Sequence, residues 1–231
     1  MTLAPPPVSA VVLDMDGTLL DLYFDDRVWN HALPHRIANR EGMALADAAA
    51  FVAETIGAAR GTLAWYCLDH WTDVFGVSIH ALEEEQASYI QIRDGTVDFL
   101  EHLWAQQIPA ILATNAHPAS MRRKLAKTGL APYFSALRSS HEYGAPKEHA
   151  AFWAALQADL GIDPESVIFV DDNVGVLDAA RAWGIAELYG VFTPSSRGER
   201  KVFDDYPAVE LLSELNGRCV GPGPVARERS A

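Results

Sequence analysis

Short apolar runs alternate with segments of helical periodicity along most of the chain. The runs are four or five residues long and are bounded by turn signals, a pattern typical of strands buried on both faces. They predict strands at 10–13, 109–113, 134–138, 167–170 and 185–189. A helical pattern precedes each of the last four runs. This alternation predicts an α/β fold with a Rossmann-like parallel sheet that helices cover on both faces.

The helix predicted at 96–107 shows how the helices are expected to pack. Its apolar residues recur at helical spacing, which places Val97, Leu100, Leu103 and Trp104 toward the core.

The alternation is interrupted between the first strand and residue 94. Residues 21–93 contain no convincing strand, and their helical patterns include an aromatic stretch at 61–75, which is predicted as one helix. We therefore predict a core domain formed by residues 8–20 and 94–215, a helical insertion at 21–93, and a flexible tail at 216–231. The leader around Pro5–Pro7 is expected to be extended.

Composition excludes several classes of protein. The 231 residues carry a formal charge of −13, so the surface repels nucleic-acid phosphates. No apolar run is long enough to span a membrane, and we expect no signal peptide in the first residues. The two cysteines are too few for a disulfide framework or a cysteine-based zinc site. We expect a cytoplasmic protein; its oligomeric state is left open.

Carboxylates and other polar groups follow three of the predicted strands. Asp14 and Asp16 follow the first strand, and because they are two residues apart their side chains leave the same side. Two like charges at one strand tip repel each other, which indicates a cation between them. Gly17 then allows a sharp turn of the backbone.

The other polar groups are expected at the same edge of the sheet. Thr114 and Asn115 follow the second strand, Asp171 and Asp172 follow the fourth, and Lys147 opens a helix beside them. Ligands of parallel sheets bind at the carboxyl ends of the strands. Carboxylates with a hydroxyl, an amide and an ammonium group suit a hard cation and an anionic oxygen ligand, for which Mg²⁺ with a phosphate is the natural pair.

This set resembles the four motifs of the haloacid dehalogenase-like hydrolase superfamily. The resemblance implies that Asp14 is the nucleophile and that Asp16 is the general acid/base, whose main-chain carbonyl also binds the metal. It makes Thr114 the phosphate-binding hydroxyl and Lys147 the lysine that steadies nucleophile and phosphate. Asp172 would ligate Mg²⁺ directly, and Asp171 would act through water or as a second ligand.

The same resemblance implies that residues 21–93 form the family's α-helical cap of the first class. Four segments are more similar still to the bacterial GMP/IMP 5′-nucleotidases: 13–22, 65–69, 114–118 and 146–148. That branch implies Mg²⁺-dependent removal of the 5′-phosphate from purine nucleoside monophosphates through an aspartyl phosphate. The substrate would be a small phosphorylated metabolite.

Two alternatives stay open at the level of sequence. A phosphatase that acts on a phosphosugar or another small phosphometabolite would have the same core motifs. A phosphorylation-switch protein also gathers aspartates, threonine and lysine around Mg²⁺, but its acidic pair comes first in the chain. Trp65, Tyr66 and Trp71 are expected to pack in the core of the insertion, although an aromatic face there also suits a purine base.

Overall fold

The structure is a computed structural model that describes residues 7–221. The strands within these residues are β1 Ala10–Leu13, β2 Ala110–Thr114, β3 Phe134–Ser139, β4 Val167–Val170, β5 Glu187–Val191 and β6 Ala208–Val209. These six strands form one parallel sheet in the order β3-β2-β1-β4-β5-β6. The predicted parallel α/β sheet is confirmed. The fifth strand begins two residues later than predicted, and the short β6 was not predicted.

The position of β1 explains its apolar sequence. It lies between β2 and β4, and all four of its residues are buried. Alternate side chains point to opposite faces of the sheet. Val11 and Leu13 accordingly belong to one hydrophobic cluster, and Ala10 and Val12 belong to another.

Helices of the core cover both faces. The helices of the core are α6 Thr96–Ala105, α7 Pro118–Thr128, the short α8 Ser140–Tyr143, α9 Ala150–Leu160 and α10 Val174–Trp183. Residues of α6 and α7 belong to the hydrophobic cluster that contains Val11 and Leu13. Residues of α9 and α10 belong to the cluster that contains Ala10 and Val12.

One expectation for α6 is wrong. Trp104 is 70% exposed and does not face the core, whereas Thr96, Phe99, Leu100 and Leu103 are buried. Successive helical residues are separated by about 100°. Trp104 lies one such step beyond Leu103, and this step takes it out of the buried stripe.

Residues between β1 and α6 form the helical block that the sequence predicts. Its α-helices are α1 Tyr23–Asp26, α2 Leu33–Glu41, α3 Leu45–Gly57, α4 Leu68–Phe75 and α5 Ile79–Glu85. A π-helical segment, Arg27–Ala32, joins α1 to α2. The stretch predicted as one helix at 61–75 is instead a 3₁₀ turn, Leu63–Tyr66, followed by α4, because Cys67 has an extended backbone. The boundaries of the two proposed domains stay a prediction.

Part of the predicted flexible tail is held by the core. Cys219 is buried, and its carbonyl oxygen lies 2.7 Å from Nε2 of His102 on α6. Residues 222–231 of that tail, and Pro5 and Pro6 of the leader, lie outside the described residues. None of the helices in the described part of the chain has the length and apolar character needed to cross a membrane.

Candidate active site

The sheet topology brings three groups of polar residues together. Asp14 follows β1, Thr114 ends β2 with Asn115 after it, and Asp171 and Asp172 follow β4. Since β2, β1 and β4 are adjacent and parallel, their carboxyl ends meet at one edge. The sequence-based expectation that these groups converge agrees with this geometry.

Lys147 lies at the centre of the group. Its Nζ donates hydrogen bonds to Oδ1 of Asp14 and, over 2.7 Å, to Oδ2 of Asp171. The backbone of Lys147 is fixed on both sides: its N–H donates to Oδ1 of Asn115 at 2.9 Å, and its carbonyl accepts from Nε1 of Trp153 at 2.7 Å. The ammonium is thus held between the predicted nucleophile and the acidic pair.

Burial and mutual charge set the ionisation of this group. Burial raises the pKa of Asp14 well above its usual value and that of Asp171 to about 6, although Lys147 opposes both shifts. Burial also disfavours the Lys147 ammonium, but Asp14 and Asp171 outweigh this effect and raise its pKa. The centre therefore keeps one fixed positive charge among carboxylates that are costly to ionise.

Three carboxylates form a set that suits a divalent cation. One oxygen from each of Asp14, Asp171 and Asp172 lies within 4.8 Å of the others, and all three residues are buried. Oxygen donors of this kind fit Mg²⁺, and a cation would relieve their repulsion. Gly17 approaches this set closely: its φ is +90°, and a Cβ on it would lie 2.7 Å from Cγ of Asp172.

The Asp16 carboxylate lies apart from this set. It accepts a hydrogen bond from Nζ of Lys124 at 2.7 Å, and the same ammonium contacts Asp25 at 2.8 Å. The prediction that Asp16 contributes to metal binding therefore depends on its main-chain carbonyl. Burial raises the pKa of Asp25 to about 7, against the opposing effect of Lys124.

Thr114 and Asn115 support the centre from the β2 side. The Thr114 hydroxyl oxygen accepts a hydrogen bond from the N–H of Ala116 at 3.0 Å, which leaves its hydrogen as a donor for an anionic ligand. Asn115 donates from Nδ2 to Glu148 at 2.9 Å while its oxygen binds the Lys147 backbone. Asn115 thus positions Lys147.

Sequence reasoning missed two further lysines near the carboxylates. Besides Lys124, which is buried, Lys201 donates to Oδ2 of Asp172 at 2.6 Å. Lys147 is therefore not the only lysine near the site. Lys124 shares the buried stripe of α7 with Met121 and Leu125, but helical spacing alone does not show that a lysine on this stripe is buried.

A cavity of about 530 Å³ lies between the carboxyl edge of the sheet and the helical block. Asp14, Thr114 and Lys147 line its base, and Trp65 and Tyr66 contribute to its wall. The expectation that the aromatic residues of the block pack in its core holds for Trp71, which is 1% exposed. Trp65 and Tyr66 are only partly buried and face the cavity.

A chain of hydrogen bonds connects this wall to the centre. The hydroxyl of Tyr66 donates to Oε1 of Glu148 at 2.6 Å, and Oε2 of Glu148 accepts from Asn115. Nε1 of Trp71 donates to the carbonyl of Trp65 at 2.9 Å and so fixes the same segment from behind. The aromatic wall is therefore positioned relative to Lys147 through Glu148 and Asn115.

Solved structures share this architecture. The chain aligns with a HAD phosphatase from Thermococcus onnurineus with a TM-score of 0.78, over 93% of this chain and 99% of that one, at 21% sequence identity. A putative β-phosphoglucomutase from Thermotoga maritima aligns with a TM-score of 0.63 at 21% identity, over 91% and 98% of the two chains. Likeness at this level of identity shows the fold.

Sequence comparison identifies the family. The GMP/IMP nucleotidase YrfG of Escherichia coli (strain K12) is 36% identical over 208 residues, which are 90% of this chain and 94% of the relative. A phosphorylated carbohydrates phosphatase of Thermotoga maritima is 23% identical over 80% of this chain and 85% of its own length. The family model for haloacid dehalogenase-like hydrolases matches residues 8–184. The chain belongs to the haloacid dehalogenase-like hydrolase family.

Proposed function

We propose that the protein is a Mg²⁺-dependent phosphomonoesterase that removes the 5′-phosphate of purine nucleoside monophosphates. The observation that carries this proposal is the position of Lys147, whose ammonium contacts both Asp14 and Asp171 at the floor of the cavity. A lysine held beside a carboxylate nucleophile suits a reaction in which negative charge on phosphoryl oxygens must be neutralised.

The carboxylates of Asp14, Asp171 and Asp172, with the main-chain carbonyl of Asp16, would hold Mg²⁺. The bound ion would supply a Lewis acid that withdraws charge from the phosphoryl oxygens. The Thr114 hydroxyl and the Lys147 ammonium bind and orient the same oxygens, so that the phosphorus faces an Asp14 oxygen in line with the ester bond.

The proposed reaction has two steps. In the first, Asp14 attacks phosphorus, the bond to the ester oxygen breaks, and Asp16 gives a proton to the leaving oxygen. In the second, water attacks the aspartyl phosphate, Asp16 takes up its proton, and inorganic phosphate leaves. Lys124 touches the Asp16 carboxylate at 2.7 Å and keeps it oriented toward the substrate through both steps.

The wall of the cavity supports a nucleotide as the substrate. A volume of about 530 Å³ lies in the range of small-molecule sites. Trp65 contributes an aromatic ring to this wall, and bases stack on aromatic rings. The relative with 36% identity is a GMP/IMP nucleotidase, which favours a purine base.

Release of phosphate from a panel of esters tests this assignment. The purified protein with Mg²⁺ is expected to hydrolyse GMP and IMP with higher kcat/KM than sugar phosphates and phosphoglycolate. Lys147→Ala removes the ammonium and is expected to abolish turnover of every ester. A higher kcat/KM for a sugar phosphate would assign the protein to the phosphocarbohydrate phosphatases, and a single stable phosphorylation without turnover would identify a switch.

A further inference from the structure

A second cluster of ligating side chains lies where the helical block meets the core. It comprises Cys67, His117 and His141, and one ligand atom from each lies within 4.8 Å of the others. Cys67 immediately precedes α4 of the block, His117 caps α7 after β2, and His141 lies on α8 after β3. Three segments far apart in sequence therefore bring one thiol and two imidazoles together, a mixed donor set that the count of two cysteines did not predict.

The hydrogen bonds of His141 leave one ring nitrogen free. The hydroxyl of Ser139 donates to the carbonyl of Ala116 at 2.7 Å, so its oxygen can only accept from Nδ1 of His141, 3.5 Å away. This contact favours the neutral tautomer in which Nδ1 carries the hydrogen and Nε2 carries the lone pair. That Nε2 is buried and has no hydrogen-bond partner within residues 7–221. A buried acceptor without a donor is costly, and a cation would satisfy it.

His117 is oriented by a carboxylate. Its Nε2 lies 3.4 Å from Oδ2 of Asp69, whose other oxygen lies 2.7 Å from Nε2 of His80. Its Nδ1 accepts the N–H of Ala119 at 3.3 Å. A cation on either nitrogen would replace one of these long contacts. Carboxylates beside metal-bound histidines commonly fix the ring in this way.

Both imidazoles are in the form that binds metals. Burial lowers the pKa of His141 to about 4, and the neighbouring His117 ring lowers it further. Burial also lowers the pKa of His117, although Asp69 opposes that shift. The two rings therefore have lone pairs at neutral pH. In a tetrahedral zinc site the ligand atoms are about 3.3–3.6 Å apart, so small side-chain rotations close the cluster around one ion.

We propose that Cys67, His117 and His141 bind one transition-metal cation of the Zn²⁺ type, which joins the helical block to the core. The donor set distinguishes this site from the carboxylates at the strand ends, because sulfur and imidazole ligands prefer softer cations than Mg²⁺. Three protein ligands leave a fourth position for water or for Asp69. The cation would satisfy the lone pair on His141.

Cobalt binding tests the proposal directly. The full chain is stripped with a chelator, returned to buffer with excess Mg²⁺ to occupy oxygen sites, and titrated with Co²⁺. We expect a thiolate-to-cobalt charge-transfer absorption that saturates at one equivalent. Cys67→Ser is expected to abolish this absorption, and His141→Ala to lose the saturation at one equivalent. The matched controls Cys219→Ser and His35→Ala change the other cysteine and an exposed histidine and should leave the titration unchanged.

A second measurement uses the unaltered chain and does not depend on the folding of any variant. One equivalent of Zn²⁺ should protect Cys67 from alkylation by iodoacetamide, as read by peptide mass mapping, because a metal-bound thiolate is not free to react. Absence of the absorption band in the wild-type protein, its survival in Cys67→Ser, or unchanged alkylation of Cys67 with Zn²⁺ would each overturn the proposal.

Discussion

The ammonium of Lys124 lies 2.7 Å from the carboxylate of Asp16 and connects the proposed general acid/base to the helical block, because the same Nζ contacts Asp25 on α1. Lys124 is 1% exposed and comes from α7 of the core. One buried cation thus joins three separate segments beside the reaction centre. Its charge compensates two carboxylates that would otherwise repel each other.

Replacing Lys124 should therefore affect both stability and turnover. Lys124→Met keeps the length of the side chain but leaves Asp16 and Asp25 without their shared cation. Removing one partner of a buried ion pair costs about 3–5 kcal/mol, and we expect a loss at the lower end of this range because both carboxylates are partly exposed. Urea unfolding measures the loss, and phosphate release from GMP should show a lower kcat.

Lys127→Met is the matched control, since Lys127 is an exposed lysine on the same helix. Its free energy of unfolding should change by less than about 0.5 kcal/mol. Equal losses in the two variants would show that the contacts of Lys124 with Asp16 and Asp25 contribute nothing specific.

Local sequence patterns predicted the sheet and the convergence of the strand ends, but not all of the site. A continuous apolar run followed by polar residues, as at Ala10–Asp16, shows both a buried strand and its functional end. Lys124 lies in an ordinary amphipathic helix, where a lysine usually faces solvent. Its partners Asp16 and Asp25 are about a hundred residues away, so only the tertiary fold shows that it is buried.

The helical block was harder to predict in detail. Trp65, Tyr66 and Trp71 are all aromatic and lie close together in the sequence. Trp71 nevertheless packs in the core, while the other two line the cavity. The extended backbone at Cys67 turns α4 relative to the preceding 3₁₀ turn. Helical periodicity carries no signal for such a break.

Mg²⁺ should stabilise the folded protein. Asp14, Asp171 and Asp172 are brought together, and repel one another, only in the folded state. An ion that binds the folded state alone raises the free energy of unfolding by about 2.7 kcal/mol when its free concentration is one hundred times its Kd. Asp172→Asn should weaken this response, whereas Asp98→Asn, a change on an exposed position of α6, should retain it. Thermal unfolding with and without Mg²⁺ measures both. A wild-type protein indifferent to Mg²⁺ would contradict the proposed metal site.

Trp65→Ala should separate recognition of the base from the chemistry. Stacking of one base on an aromatic side chain contributes about 1–3 kcal/mol, so KM for GMP should rise by roughly 5- to 150-fold. KM for p-nitrophenyl phosphate should change little, because that substrate has no base. Trp104→Ala removes an exposed tryptophan outside the cavity and is the control. An equal rise in KM for both substrates would show that Trp65 has a structural role and does not bind the base.

His141 should make the folded state sensitive to acid. Its pKa is about 4 in the folded protein and about 6.5 when unfolded, so between these values the unfolded chain binds the additional proton. This proton uptake does not affect the free energy of unfolding above pH 6.5, and it lowers that free energy progressively as the pH falls from 6.5 toward 4. With a chelator present, the thermal midpoint of wild-type protein should fall more between pH 7 and pH 5 than that of His141→Gln. The thermal midpoint of His35→Gln should fall by as much as that of wild type. If it falls only as little as that of His141→Gln, the acid sensitivity does not come from His141.

The central claim is that Asp14 attacks phosphorus while Thr114 and Lys147 hold the phosphoryl group and the acidic pair, Asp171 and Asp172, would hold Mg²⁺. Rapid acid quenching during turnover of GMP, followed by peptide mass spectrometry, tests it most directly. We expect a phosphorylated peptide that contains Asp14 in the wild-type protein and none in Asp14→Asn, which should also release no phosphate. Phosphate release by Asp14→Asn at a rate near that of wild type, or a phosphoryl group on another residue, would contradict it.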